Sequence, residues 1–158
     1  MAQNKDMSAE RATVEEVIKN SIRWAINKDT VMSYNSYVQD STLFYFSPDD
    51  AGTIIGFDQF KKLTEELFLN PLFKAKSSDF KQMRVDFSHS GGVAWWSCYL
   101  DDFNEWDGKP ANWENVRWTG VIEKIDGQWK IRQMHFSFSV EAMKARFQKP
   151  AEPPKDGK

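Results

Sequence analysis

Apolar residues in the first 70 positions recur mainly at the spacing of α-helices. The pattern predicts a first helix over residues 8–28 with Ser8 as its N-cap, since a serine hydroxyl can accept a bond from the open first turn. Asp29 predicts the start of a second, shorter helix. A third follows Gly56 and ends at Asn70-Pro71, because proline cannot continue the hydrogen-bond ladder. The buried face of the first helix is predicted to consist of Val14, Val17, Ile18, Ile22 and Ala25.

From residue 80 onwards the period changes to the alternation that is typical of strands. Segment 101–115, which is polar and aromatic, is predicted to be a loop, and a shorter strand is predicted over residues 41–46. Helices first and an antiparallel meander second indicate an α+β fold, in which the helices pack on one face of the sheet. The long strands are predicted over residues 80–88, 93–100, 116–125 and 128–139.

The last predicted strand carries large apolar side chains at both its odd and its even positions. Trp129 and Ile131 share one face with His135, whereas Met134 and Phe136 lie on the other. A sheet with one face in water alternates more cleanly than this. Both faces are therefore predicted to be covered, one by the helices across a cavity and the other by a second copy of the chain in a homodimer.

The turn at Asp126-Gly127 leaves two registers open for the last hairpin. A two-residue turn puts Arg117 on the face of Met134 and Phe136. A three-residue turn with a glycine bulge sets Arg117 opposite His135 instead. Because a shift of one residue moves a whole strand to the other face, the register decides whether Arg117 and His135 form a functional pair.

The composition shows an excess of aromatic residues and a small net charge. Of the 158 residues, 15% are aromatic, which favours an apolar ligand cavity or an apolar interface. The net charge is −2 with acids and bases interspersed, which argues against binding to nucleic acid. No apolar run approaches the roughly 18 residues of a membrane span. Cys98 is alone and the two histidines lie far apart, which argues against a zinc site.

The ends of the chain bound a single predicted domain over residues 8–140. Residues 1–7 are predicted to be a disordered tail, and residues 141–158 a C-terminal extension that is disordered from about residue 149. The first residues lack the apolar core of a signal peptide, so a cytoplasmic location is expected.

Several segments together resemble the SnoaL-like branch of the nuclear transport factor 2-like superfamily. They are "NKDT" between the first two helices, "YVQDST" leading into a strand, "IGFDQF" opening a helix, and the closing "RWTGVIEKIDGQWKIRQMHFS". The resemblance covers about residues 8–140 and is most specific in the closing segment. It implies a strongly curved antiparallel sheet wrapped around helices, a cone with a pocket in its mouth, and dimers that form through the outer sheet face.

The family that this resemblance indicates is functionally mixed, since ketosteroid isomerases, polyketide cyclases and scytalone dehydratase stand beside transport factors and a kinase association domain. The three catalytic positions of ketosteroid isomerase fall on Ser21, Tyr45 and Thr119, none of which keeps the required chemistry. The resemblance turns His135 away from the pocket. It places along the pocket wall Tyr37, Arg117, Thr119, Arg132, Met134 and Phe136.

Two functions follow as alternatives. In the first, the chain binds a small, largely apolar or aromatic molecule, whose acidic group, if present, is held by Arg117 or Arg132. Cofactor-free proton chemistry would then fall to Tyr45, Tyr37 or His135. In the second, the chain is a non-catalytic association module that brings partners or copies together.

The predicted site takes in more residues than these candidates for proton transfer. Arg117 has an alternative role, pairing on the sheet with Glu114 or Glu123. The acid pairs Asp49-Asp50 and Asp101-Asp102 are predicted to be solvated turn residues. The complete set of predicted ligand-binding residues is Ser21, Trp24, Tyr37, Tyr45, Trp95, Tyr99, Arg117, Thr119, Arg132, Met134 and Phe136.

Overall fold

A computed structural model describes residues 7–148, and the predicted tails over residues 1–6 and 149–158 lie outside the described part. No helix within residues 7–148 is long and apolar enough to cross a bilayer. In chain order the elements are α1 (Ser8–Asn27), α2 (Thr30–Asn35), β1 (Phe44–Phe46), β2 (Ile54–Ile55), α3 (Phe57–Leu63), β3 (Phe73–Phe87), β4 (Val93–Trp106), β5 (Lys109–Pro110), β6 (Trp113–Ile125), β7 (Gln128–Phe138) and α4 (Val140–Gln148).

Local capping sets the starts of the helices. The N-cap of α1 is Met7 and not the predicted Ser8, because the Met7 carbonyl already accepts a helical bond from Arg11 N at 2.8 Å. Asp29 caps α2 as predicted, since its carboxylate accepts a bond from Met32 N at 2.9 Å. The residues of α1 that turn to the interior are Val14, Ile18, Ser21, Trp24 and Ala25.

The seven strands form one curled sheet in the order β2-β1-β7-β6-β4-β3, with β5 paired to the end of β4. Neighbours are antiparallel except β1 and β7, which run parallel. Register shifts interrupt three of the long pairings, and such bulges bend a sheet. The sheet curls into a half-barrel, and α1 contacts β3 and β7. The predicted α+β class with a strongly curved sheet wrapped around N-terminal helices is confirmed.

The segment 101–115 is not the predicted loop. β4 continues to Trp106 and then turns back through Asp107-Gly108 into the short β5. Both turn residues have a positive φ, of 50° and 72°, which is the backbone of a tight two-residue hairpin. Beyond β7 the chain adds α4, a helix that the sequence pattern did not predict, and Arg146 of α4 lies 5.3 Å from the Phe138 ring centre.

A bulge in β7 explains the apolar residues on both of its sequence faces. The turn has two residues, as in the first of the two open registers, but the pairing skips Arg132, so the odd residue Ile131 and the even residue Met134 both point inward. The mixed pattern of β7 therefore gives no support for a covered outer face, and the homodimer stays a prediction. The apolar residues of β7 that are buried on the inner side are Trp129, Ile131, Met134 and Phe136.

The core lies under the inner face of the sheet and is centred on Trp118. This side chain is fully buried, its ring stacks on Phe136 with centres 5.4 Å apart, and it meets Trp96 edge-on at 5.3 Å. Gly120 allows this packing, because a Cβ at that position would collide with the Trp96 ring and with the Gln133 carbonyl. The Trp96 ring can therefore pack against the sheet only because residue 120 has no side chain.

Candidate functional site

A cavity of about 550 Å³ lies between α1, the end of α3 and the inner face of the sheet. Buried apolar residues form two separate clusters, a large one under the sheet and a small one of Trp24, Ala25 and Phe73. Members of both clusters line the cavity, so it occupies space between them. Its apolar lining is Ile22, Trp24, Ala25, Ala51, Phe60, Leu63, Leu67, Phe68, Phe73, Leu100, Trp106, Ala111, Trp113, Met134 and Phe136.

The predicted ligand-binding residues divide between the two faces of the sheet. Those that line the cavity are Ser21, Trp24, Tyr37, Tyr45, Met134 and Phe136. Those that lie elsewhere are Trp95, Tyr99, Arg117, Thr119 and Arg132. In β4 the even residues Trp96 and Leu100 are buried on the inner face, which leaves Trp95 and Tyr99 on the outer face.

The pocket-wall positions predicted for Arg117, Thr119 and Arg132 are wrong, and the bulge is the reason. Beyond it, Thr119 pairs with His135 and Arg117 pairs with Ser137, so both lie on the outer face. His135 is exposed there, where the resemblance placed it.

Both arginines are engaged at the surface of the sheet. Arg117 Nη2 donates to the Phe138 carbonyl at 3.1 Å. Arg132 Nε donates to Glu123 at 2.7 Å, and its Nη1 donates to the Thr42 hydroxyl. Neither guanidinium therefore supplies positive charge to the cavity.

Tyr37 and Ser21 tie the second helix region to α1 at the cavity wall. The Tyr37 hydroxyl donates to the Ser21 carbonyl at 3.1 Å, and the Ser21 hydroxyl donates to the Ile18 carbonyl at 2.7 Å. Burial raises the pKa of Tyr37 far above its ordinary value. A phenol that is held neutral and already donates a bond suits a structural role better than proton transfer.

Tyr45 enters the cavity from β1, with its ring 5.2 Å from that of Phe136. Burial is the main cause that raises the pKa of the Tyr45 phenol, and a hydrogen bond with the Ser47 side chain opposes it. The negative charges of Asp49 and Asp102 raise the pKa further. Ser47, Asp49 and Asp102 line the same cavity as the phenol, whose raised pKa keeps it protonated.

Asp102 and Asn104 are site residues that the sequence analysis missed. Both line the cavity from β4, and Asn104 Nδ2 donates to Asp102 Oδ2 at 2.8 Å. Burial raises the pKa of the Asp102 carboxyl, and the bond from Asn104 opposes this shift. Asn104 is 7% exposed, and no described residue donates a hydrogen bond to its Oδ1.

The alternation of inward and outward residues along β4 indicates that these two residues face the cavity. Trp96, Cys98 and Leu100 are the inward residues of β4, and the same even period leads directly to Asp102 and Asn104. The prediction ended the strand at Leu100, so the period was not followed further. Asp102 is accordingly not the solvated turn residue that was predicted.

Asp49 reaches the cavity from the segment that follows β1. Its Oδ1 accepts a bond from Gly52 N at 2.8 Å, and its Oδ2 accepts one from the Ser47 hydroxyl at 3.3 Å. The cavity lining thus includes two carboxyl groups, a phenol and an amide among apolar residues, and Asp49 is exposed to solvent. Within residues 7–148, no group of three or more His, Cys, Asp or Glu side chains is placed to hold a metal ion.

Comparison with protein families gives one match that spans most of the chain. The family model described as SnoaL-like domain matches residues 14–141. No curated protein matches the chain.

Solved structures with the same fold come from several organisms. A candidate scytalone dehydratase from Novosphingobium aromaticivorans DSM 12444 has a TM-score of 0.71 at 16% identity, over 84% of this chain and 85% of that one. An NTF2-like protein from Cytophaga hutchinsonii ATCC 33406 has a TM-score of 0.65 at 14% identity, over 82% and 98%. The association domain of CaMKII from C. elegans has a TM-score of 0.63 at 15% identity, over 85% and 100%. At such identities the likeness shows the fold alone.

Proposed function

Because the chain belongs to the SnoaL-like domain family, we propose that it binds a small, largely apolar or aromatic molecule in the cavity. The observation that carries this proposal is the unfilled space of about 550 Å³ between the two apolar clusters. Its size, its aromatic walls and its few polar groups are typical of sites for small molecules. The reaction, if the bound molecule is a substrate, stays unassigned.

For proton transfer we propose Asp102 in place of the predicted Tyr45, Tyr37 and His135. Burial raises the pKa of this carboxyl above its ordinary value, and a raised pKa makes a carboxylate a stronger proton acceptor. The two phenols have pKa values raised far above neutrality, and the imidazole of His135 is on the other face of the sheet. Its position in the cavity lining and its raised pKa therefore both support Asp102 as the group that transfers protons.

Filling the cavity tests the binding proposal. Ala25 is buried on α1 and lines the cavity, so Ala25→Phe places a ring in the space that a ligand would occupy. We expect 2-naphthol and 2-methoxynaphthalene, added as neutral aromatic probes, to bind the wild type and to bind Ala25→Phe at least about tenfold more weakly by isothermal titration calorimetry.

A matched control separates loss of the cavity from loss of the helix. Ala12 is exposed on the same helix, so Ala12→Phe makes the same chemical change outside the cavity and should leave the probe affinity unchanged. Circular dichroism checks that both variants are folded. Failure of the wild type to bind either probe, or equal binding by Ala25→Phe, would overturn the proposal.

The second candidate function is association of copies through the outer sheet face. Trp95 and Tyr99 are 46% and 40% exposed there, and Phe46 extends the same surface beside His135. Exposed aromatic side chains that gather on one face are typical of protein interfaces. We propose a homodimer through this face.

A cytoplasmic location stays a prediction from the sequence.

Light scattering over a range of protein concentrations tests the dimer. We expect the wild type to have twice the mass of one chain and Trp95→Glu to dissociate, because the charge would be buried without a partner. Val31→Glu is the control, since Val31 is 69% exposed on α2, away from the sheet. A monomeric wild type, or a dimer that Trp95→Glu leaves intact, contradicts this assignment.

A further inference from the structure

The C-terminal helix α4 is held to the sheet by few contacts among the described residues. None of its nine residues is buried, and Val140 and Phe147 are 64% and 78% exposed. A helix of this length is not stable in water by itself, so its contacts with the rest of the chain decide whether it stays formed. Within residues 7–148, Arg146 has the one α4 side chain that hydrogen-bonds beyond the helix.

Arg146 is bound to the segment 111–113, which leads from β5 into β6. Its Nη1 donates to the Asn112 carbonyl at 2.8 Å, and its guanidinium carbon lies 5.3 Å from the centre of the Phe138 ring. That ring packs edge-on against Trp113, with centres 6.2 Å apart. Both contacts of Arg146 therefore lead to the segment 111–113, one directly and one through Phe138.

The same segment forms part of the cavity wall. Ala111 and Trp113, which precede and follow Asn112, both line the cavity. Trp113 also contacts Phe136, another lining residue, with ring centres 5.5 Å apart. A change in the docking of α4 therefore acts on a wall that a molecule in the cavity would contact.

Hydrogen bonds continue from this segment to Asp102, the acid of the cavity lining. Asn112 Oδ1 accepts a bond from Asn104 N at 2.9 Å, and the Asn104 carbonyl accepts one from Ala111 N at 2.8 Å. Both main-chain groups of Asn104 are thus fixed by the segment. The Asn104 side chain in turn donates to Asp102 Oδ2 at 2.8 Å. Asn112 and Asn104 therefore connect Arg146 to the cavity acid.

We infer that α4 is a positioning element of the ligand site, and that Arg146 couples the docking of this helix to the occupancy of the cavity. With α4 docked, the segment 111–113 and the Asn104–Asp102 pair are held in place before a ligand arrives, and a site that is already ordered loses less entropy on binding. Because such coupling is reciprocal, a bound molecule stabilises the docked helix to the same extent. The inference rests on the proposed function and concerns the regulation of that same cavity.

Hydrogen exchange and calorimetry measure the two directions of this coupling in the full chain. The amides of residues 140–148 should exchange about threefold more slowly in the presence of saturating 2-naphthol, because fewer of them open when the helix is docked. Arg146→Gln removes the charge that holds α4, and isothermal titration calorimetry should show about fivefold weaker binding of 2-naphthol.

Two further variants show whether Arg146 acts through its contacts. Arg146→Lys keeps a cation and a hydrogen-bond donor, so it should keep most of the affinity that Arg146→Gln loses. Lys144→Gln makes the same loss of charge at an exposed residue of the same helix and should leave both measurements unchanged. Because the exchange of the sheet amides is recorded at the same time, a general loss of stability is distinguished from undocking of α4.

Asn112→Ala tests the hydrogen-bonded route to Asp102. It removes the side-chain acceptor of Asn104 N and keeps the main-chain carbonyl that Arg146 holds. In this background Arg146→Gln should cost less affinity than in the wild type, since part of the route is already broken. Equal losses in the two backgrounds would refute the step through Asn112.

The outcomes separate this inference from the proposed function. If the wild type binds neither 2-naphthol nor 2-methoxynaphthalene, the proposed function fails and the coupling fails with it. If the wild type binds 2-naphthol but the exchange of α4 does not change, or if Arg146→Gln binds it as tightly as the wild type, the cavity binds ligands and the coupling is refuted. A loss in Lys144→Gln equal to that in Arg146→Gln would likewise refute the part assigned to Arg146.

Discussion

The two faces of β4, β6 and β7 both carry aromatic side chains, but these side chains have different surroundings. On the inner face Trp96, Trp118 and Phe136 are almost completely buried, whereas on the outer face Trp95 and Tyr99 are 46% and 40% exposed. Neighbouring tryptophans of one strand thus lie on opposite sides of the sheet. Aromatic content by itself indicates that an apolar surface exists, and only the register shows which residues share it.

The polar groups of the two faces differ as well, since the outer face carries charges of both signs, whereas the cavity lining within residues 7–148 has acids but no Lys, Arg or His. The outer face carries Arg117 and His135, and the inner face carries Asp102 with Asn104 beside it. The sequence prediction had the opposite arrangement, with a cation in the pocket and the acid in solvent. The charge in a cavity affects which ligands it accepts, so this reversal removes the cation that was predicted to hold an acidic group of the ligand.

The largest expected difference between the faces is in stability. Trp118→Ala removes a fully buried ring that packs on Trp96 and Phe136, and we expect it to lower the free energy of unfolding by about 3–5 kcal/mol. Trp95→Ala is the matched change on the outer face and should cost less than about 1 kcal/mol in the monomer. Urea denaturation at low protein concentration measures both. Equal costs would contradict the difference in burial.

Gly120 offers a sharper test of the packing of the inner face. In Gly120→Ala the new methyl group collides with the Trp96 ring and the Gln133 carbonyl, so we expect a loss of about 1–3 kcal/mol by the same measurement. Gly92→Ala is the control, because its methyl group would meet only Ser90 Oγ at 3.8 Å, and we expect a change within about 0.5 kcal/mol. A Gly120→Ala variant as stable as the wild type would mean that the Trp96 ring can move aside.

Much of the fold could be predicted because its signals are local. The helix cap at Asp29 and a turn at Asp126-Gly127 depend on residues that are neighbours in sequence, and both are present, although the sequence left the length of the turn open. The parallel pairing of β1 with β7 was not predicted, since it joins segments about 90 residues apart. The extension of β4 past Leu100 was missed because its polar residues were interpreted as loop residues.

The candidate site was less predictable, because it depends on one bulge. Arg132 is the skipped residue, and it donates to Glu123 on β6 and to Thr42 just before β1. Nothing in the alternation of β7 specifies contacts with such distant partners. The bulge nevertheless moves Thr119 and Arg117 away from the cavity. One unpredicted bulge residue therefore changed which residues line the cavity wall.

The smallest expected effect compares two adjacent acids of β4, Asp101 and Asp102. Burial raises the pKa of Asp102, so the folded state binds its proton more tightly than the unfolded state does. This contribution to stability is present below the ordinary carboxyl pKa of about 4 and is lost as the pH rises through the folded pKa. Asp102→Asn should therefore gain stability relative to the wild type between about pH 4 and neutral pH, by under about 1 kcal/mol.

Asp101→Asn should show the opposite sign. Burial acts to raise the pKa of Asp101, but bonds from Asn115 N and Lys81 Nζ, both at 2.7 Å, outweigh it and lower the pKa. The stability from this carboxylate is present above the ordinary carboxyl pKa and is lost as the pH falls through the folded pKa, so the variant should be less stable than the wild type at neutral pH. Thermal unfolding of both variants from about pH 3 to pH 7 measures the two signs. Equal signs would mean that Asp102, like Asp101, is stabilised by its surroundings as a carboxylate, and burial would then not be the main influence on its pKa.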